Sequence, residues 1–196
     1  MKAITQVYNV VLGSLEKDPE YLAEINHVRS VIRAGPEAVT SWFFFQQYVF
    51  VVLCSYWKEQ YARKEWDRYF ESAGDLTCIS NKRKRSAVFN VRPDYQYWFR
   101  DVLAAKDRIV FLQTMPMIGP VTCRHLARNI GIDCVKPDRH MNRLAAEFGY
   151  GSSNKVSEQI KITTQMCKDI QDDIGGADYL GVIDVVLWRA CNLGWI

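Results

Sequence analysis

Apolar residues recur at helical spacing through most of the chain, and the pattern predicts an all-helical protein. Residues 2 to 15 place Ile4, Val7, Tyr8, Val11 and Leu15 on one face. Pro19 to Arg33 repeats the pattern with Leu22, Ile25, Val28, Val31 and Ile32. Gly35-Pro36 then punctuates the chain, and Pro36 suits the first turn of a following helix. That helix, Trp42 to Trp57, is apolar nearly all round and is expected at the centre of the fold. Glu59 to Ser72 is amphipathic, with Tyr61, Trp66 and Tyr69 among charges, and Gly74 to Ser80 reads as a connecting turn. A helix starting near Asp94 carries Tyr95, Tyr97, Trp98 and Phe99, for which a core role is expected. After a flexible break at Gly151-Ser152-Ser153-Asn154, Val156 to Ile174 and Tyr179 to Asn192 predict two more helices, separated by Gly175-Gly176. No alternating run is long enough for a β domain, and no internal repeat is visible.

The stretch from Thr114 to Tyr150 carries the densest punctuation. Ile109 to Thr114 is expected to form the first helix of a hairpin, and Gly119 to adopt the positive φ of a tight turn. Pro120 suits the first turn of the next helix, Thr122 to Ile130, because its missing N–H is not required there. Such a helix start leaves amides unpaired and suits an anion such as phosphate. Gly131 supplies a C-terminal stop. In Lys136-Pro137-Asp138, Pro137 keeps Lys136 out of helical geometry, and Asp138 is placed to open another helix.

LQTMPMIGPVTCRHLA followed by KPDRHMNRLA resembles the helix-hairpin-helix plus Gly/Pro-Asp (HhH-GPD) signature of a DNA glycosylase superfamily, with both motifs in the right order and at the expected separation. The resemblance implies two helical lobes with a DNA-binding cleft. It implies double-stranded DNA as partner, extrusion of a target nucleotide, and cleavage of its N-glycosidic bond. On this resemblance Asp138 is the catalytic carboxylate, and Met117 to Thr122 form the hairpin whose backbone holds phosphate. The DNA-backbone set is therefore Met117, Ile118, Gly119, Val121, Thr122 and Arg124. Leu53 to Glu71 is similar to the segment where relatives fill the gap left by the extruded nucleotide, which places Tyr56, Trp57 and Gln60 as base-pocket or wedge residues. Aromatic faces there can stack on a base, and wall or core packing is the competing role. His140 matches a histidine of the Asp-x-His pattern, where a structural hydrogen bond is expected.

Two positions depart from the pattern. Met117 replaces the first glycine of the usual hairpin, so that turn is expected to differ in backbone or packing. Val121 stands where bifunctional members carry a lysine, which leaves Schiff-base chemistry without an obvious amine. The chain is thus expected to be a monofunctional glycosylase that uses water. Alkylated purines, mismatched or deaminated pyrimidines and modified cytosines of phage DNA are all open as substrates, the last making it a defence enzyme. A non-catalytic DNA-binding protein with Asp138 as a simple helix cap, and a glycosylase-lyase using another lysine such as Lys136, are the alternatives.

The family division expects residues 1–37 with 151–196 in one lobe and 38–150 in the other. The length of 196 residues and 48% hydrophobic content allow one compact domain or two small lobes. A net charge of +3 permits nucleic-acid binding without demanding it. The strongest charge run, Asn81-Lys82-Arg83-Lys84-Arg85, is expected to be a solvated basic face. Arg124 and Arg128, one helical turn apart, can assist phosphate binding or simply be solvated.

Six cysteines without a CxxC pair make neither a disulfide framework nor a zinc motif and fit a reducing cytosol. The closely spaced C-terminal quartet of iron–sulfur relatives is missing, so no cofactor, cluster or metal is expected. Met1 to Leu12 has no secretory pattern. Ala38 to Trp57 is uncharged and about as long as a bilayer span, but its polar residues favour a buried core helix over a membrane one. A cytoplasmic monomer is expected.

Overall fold

The computed structural model describes residues 2–196, and every regular element among them is helical. The chain divides into two compact units, one formed by residues up to Gly35 together with Gly131–Ile196, the other by Pro36–Ile130.

The terminal unit contains α1 (Ala3–Leu15), α2 (Pro19–Ala34), α9 (Arg139–Glu147), α10 (Val156–Asp173) and α11 (Leu180–Leu193). α2 begins because Asp18 accepts hydrogen bonds from the amides of Glu20 (2.8 Å) and Tyr21 (3.4 Å), with Pro19 in the first turn. Gly35, at φ 77°, ends it. Ile4, Tyr8, Val11 and Leu15 of α1 share one core with Ile25 and Ile32 of α2 and with Val182, Val186 and Leu187 of α11. Each fully buried aliphatic side chain contributes roughly 1.5–3 kcal/mol. The Tyr8 hydroxyl donates to Asp178 at 2.6 Å, and Arg29 grips both Asp178 oxygens at 2.7 and 2.8 Å, so these three side chains satisfy one another.

The division of the chain corrects the sequence expectation for residues 131–150. They belong to the terminal unit, because Met141, Leu144 and Ala145 of α9 are buried in the same core as Met166, Cys167 and Ile170 of α10. Spacing alone shows that α9 has an apolar stripe; it does not show which unit covers it.

The central unit contains α3 (Ser41–Cys54), α4 (Glu59–Glu71), α5 (Lys82–Val91), α6 (Tyr95–Ala104), α7 (Arg108–Leu112) and α8 (Thr122–Asn129). α3 packs against α4, α5, α6 and α8. Phe44, Phe45, Tyr48, Val49, Val51, Val52 and Leu53 are buried along it, as a helix apolar nearly all round requires. No helix of the described residues is long and apolar enough to cross a membrane.

Several boundaries differ from expectation. Pro36 opens a separate 3₁₀ turn, Pro36–Ala38, and Thr40 caps α3 through the Phe43 amide at 3.1 Å. α3 ends at Cys54 rather than Trp57, because Tyr56 turns to φ 62°. The basic run is the first turn of α5, where Asn81 accepts from the amides of Arg83 and Lys84. Lys84 is buried and Arg85 donates twice to Ile79 O, so the run is not a uniformly solvated face. Of the α6 aromatics Phe99 is buried, whereas Tyr97 is exposed beneath the Arg100 guanidinium.

Candidate nucleic-acid and catalytic residues

In the hairpin, α7 opens on Asp107, which accepts from the Val110 amide at 3.0 Å. The chain then turns through Met115-Pro116-Met117, where the Ile118 amide donates to Met115 O at 3.1 Å. Met117 takes the left-handed φ of 63°. Gly119 is not among the positive-φ residues, which corrects the sequence expectation: the strained position has moved two residues earlier, onto a side chain. Gly119 begins the next helix instead. Its carbonyl accepts from the Cys123 amide at 2.8 Å, and its own amide donates to Thr122 Oγ1 at 2.7 Å. Pro120 therefore sits in the first turn, where no amide is needed, and the amides of Val121 and Thr122 are among those the helix cannot satisfy itself. A Cβ on Gly119 would meet only Thr122 Oγ1, at 3.9 Å, so the fold itself leaves space there.

The hairpin is anchored from α3. The buried Tyr48 hydroxyl donates to Pro116 O at 2.9 Å and lies 3.2 Å from Ala87 O. Burial holds this phenol protonated far above its ordinary range. Asn129 Nδ2 donates to Gln47 Oε1 at 2.9 Å and ties α8 to the same helix. Arg124 is half-buried and Arg128 is buried, so solvation is not the role of Arg128.

Asp138 is the N-cap of α9. Its Oδ1 accepts from the amides of His140 (2.9 Å) and Met141 (3.2 Å). Its Oδ2 is paired with Lys136 Nζ at 3.3 Å. The two oxygens thus have separate partners, one fixed by backbone and one held by a side chain. The segment before it is fastened on both sides: the Lys136 amide donates to the buried Asp184 at 3.3 Å, and the Asn142 side chain donates to Pro137 O at 3.2 Å. His140 contributes its amide to the cap and lines an open groove with Arg139, Arg143 and Cys191.

At the α3–α4 turn, Tyr56 is fully exposed, Trp57 is half-buried, and Gln60 is exposed in the first turn of α4. Trp57 lies against the Lys84 ammonium, 3.8 Å from ring centroid to Nζ. The structure therefore places the hairpin and the Tyr56–Trp57–Gln60 group in the central unit and Asp138 in the terminal unit. The Lys136 pairing, the Asp184 support and the burial of Lys84 were not foreseen. A lone carboxylate within the apolar run 182–188 was the available sign for Asp184.

No family model matches the sequence, and no curated protein matches it. Among solved structures, the 8-oxoguanine glycosylase/lyase of Methanocaldococcus jannaschii, in complex with a 15mer DNA containing 8-oxoguanine, is similar with a TM-score of 0.67 at 15% identity, over 96% of this chain and 98% of that one. The 8-oxoguanine DNA glycosylase of Thermotoga maritima is similar with a TM-score of 0.68 at 14% identity, over 93% of this chain and 94% of that one. Identity at this level makes the likeness one of fold.

Proposed function

We propose that this chain, which has the helical fold of the helix-hairpin-helix DNA glycosylases, is a DNA N-glycosylase that extrudes a base from duplex DNA and excises it with Asp138 as the catalytic carboxylate. The observation that carries the reading is the state of Asp138: one carboxylate oxygen is held by two backbone amides, and the other is paired only through a lysine side chain. As an N-glycosidic bond lengthens, positive charge develops on the sugar. A carboxylate whose orientation is already fixed stabilises that charge without reorganisation. Lys136 holds Oδ2 in the free protein and yields it to the sugar cation. The amides that open α8, beside a glycine with open space around it, suit a DNA phosphate. Tyr56 is the residue we assign to fill the gap left by the extruded nucleotide. Extrusion costs a few kcal/mol, which stacking on an aromatic face offsets by roughly 1–3 kcal/mol.

Val121 offers no amine, so water is the nucleophile in this reading. The names of the two similar structures make an oxidised purine the first substrate to test. Alkylated purines, deaminated pyrimidines and the modified cytosines of phage DNA complete the panel, and release of the last would make the protein a defence enzyme. The test compares wild type with Asp138→Asn on duplexes bearing each base, scoring released base and alkali-labile sites. Release by the wild type alone supports the assignment. Equal release by both proteins would remove Asp138 from the chemistry, and DNA binding without release from any duplex would favour a non-catalytic binding protein.

One observation favours a second reading, a glycosylase-lyase: Lys136 places an amine 3.3 Å from Asp138 Oδ2. Borohydride trapping of a covalent DNA adduct, lost in Lys136→Met, would decide for it.

A further inference from the structure

Lys84 is the unusual member of the basic run. Its neighbours Lys82 and Arg83 are exposed, but Lys84 is only 2% exposed. Burying an ammonium is unfavourable unless it is well partnered. Its Nζ donates to Leu53 O at 2.7 Å, a carbonyl in the last turn of α3 where no further helical amide arrives. The same Nζ lies 3.8 Å from the centre of the Trp57 ring, within cation–π range. Only Cys54, Ser55 and Tyr56 separate these two anchors. Ser55 is buried with its hydroxyl on Val51 O at 3.2 Å, and the Trp57 amide donates to Cys54 O at 3.2 Å. Tyr56, at φ 62°, projects wholly into solvent. A left-handed tyrosine that buries nothing has no local reason to hold this place, so the turn is held from beneath.

We infer that Lys84 is a positioning residue: by gripping the Leu53 carbonyl and the Trp57 ring together, it locks the α3–α4 turn so that Tyr56 is presented as a rigid aromatic wedge. The inference rests on the proposed role of Tyr56 and adds the device that sets its geometry. A rigid wedge enters the duplex without first losing conformational freedom, which is where preorganisation improves affinity.

The clamp also has a pH dependence. Burial pushes the Lys84 ammonium down to about 8, against the opposing influence of Glu65 on α4 and Cys54 at the end of α3. Above that pH the cation–π contact is lost and the grip on Trp57 slackens. The fold responds in the opposite sense. The unfolded chain holds this proton more tightly, so raising the pH from about 8 towards the ordinary lysine range stabilises the folded state with respect to Lys84. A purely structural lysine would have no reason to couple these two opposed trends to DNA recognition.

The test needs no knowledge of the target base. Binding of the full chain is measured to a duplex carrying one tetrahydrofuran abasic analogue and to the same duplex intact. Wild type is expected to prefer the analogue, and Tyr56→Ala to lose about tenfold of that preference, one stack's worth. Lys84→Met, which keeps the interior filled, is expected to lose the same preference, and the Tyr56→Ala/Lys84→Met double variant no more than either alone. Lys84→Arg, charged at every working pH, is expected to keep the preference as the pH rises through about 8, where wild type loses it. Full preference in folded Lys84→Met, or additive losses in the double variant, would overturn the clamp while leaving the wedge standing. No loss in Tyr56→Ala would instead overturn the wedge and the clamp with it. If Lys84→Met does not fold, the comparison of Lys84→Arg with wild type across that pH range decides, and parallel profiles would sink the proposal.

Discussion

Asp138 caps α9 with one oxygen and in the proposed reaction meets the sugar cation with the other, and the two tasks separate by substitution. Asn caps a helix about as well as Asp, so Asp138→Asn keeps the acceptor for the His140 and Met141 amides. It loses the ion pair with Lys136, whose two side chains are only 18% and 16% exposed, so the loss exceeds that of a surface pair. The expected outcome is a stability loss of roughly 1–3 kcal/mol in urea unfolding with a base-release rate reduced on the order of 10²–10⁴-fold. Asp138→Ala loses the cap as well, and should be about 1 kcal/mol less stable than Asp138→Asn. A second residue-scale prediction concerns the hairpin. Met117 holds a left-handed conformation that a side chain adopts at a cost of roughly 1–2 kcal/mol. Met117→Gly relieves that strain and loses about 0.5–1 kcal/mol to backbone entropy, so it should be neutral to slightly stabilising by thermal unfolding. Gly119→Ala should fold normally, because its Cβ meets only Thr122 Oγ1 at 3.9 Å. If the proposed phosphate contact is right, it should nonetheless weaken binding to duplex DNA, because in that complex the added methyl stands in the phosphate's path.

At the level of elements, α5 starts against its own electrostatics. Four cations occupy its first turn, the end where the helix dipole favours negative charge. Asn81 compensates through two amide hydrogen bonds, Lys84 is drawn inward, and Arg85 is bound to Ile79 O. Asn81→Ala should therefore cost about 1 kcal/mol, a fall of roughly 2–4 °C in Tm for a chain of this size. α3 is the opposite case. Its sequence is apolar on all sides, it is surrounded by four other helices, and it supplies the fixed points from which the hairpin hangs, Tyr48 on Pro116 O and Gln47 on Asn129.

For the molecule as a whole, the proposed duplex contact is made by backbone amides and by cations distributed over a chain of net charge +3. Its affinity should fall linearly in a plot of log K against log salt concentration, as counterion release requires. Acid should loosen the terminal unit at a definite place. The Lys2 side chain bonds Asp169, and the Lys2 amide and Thr5 hydroxyl bond Asp173, both holding these carboxyls below their usual range. Such depressed groups stabilise the fold above the ordinary carboxylate pKa, and the contribution disappears as the pH falls through their lowered values. A double Asp169→Asn/Asp173→Asn variant should unfold more readily at neutral pH, and its difference from wild type should shrink as the pH falls from the ordinary carboxylate range through the lowered values of these two groups, followed by circular dichroism.

The sequence by itself marked most of the helices, the hairpin and the Pro-Asp helix start at Asp138, because these depend on residues within one or two turns of each other; α5 and the caps Asp18, Asn81 and Asp107 obey the same local rule but came to light only in the structure. Asp18, Asn81, Asp107 and Asp138 cap because a short polar side chain beside a first turn has few alternatives. Tertiary structure decided what depends on distant neighbours. Residues 131–150 joined the terminal unit because the α9 stripe found its cover on α10. Lys84 became buried because Leu53 O and the Trp57 ring stood ready to partner it, and Lys136 came to Asp138 because Asp184, far along the chain, holds its amide. The positive φ fell on Met117 and Tyr56, where the paths of the flanking helices overrode local preference. Periodicity records that a side chain will be covered, and only the assembled core specifies by what.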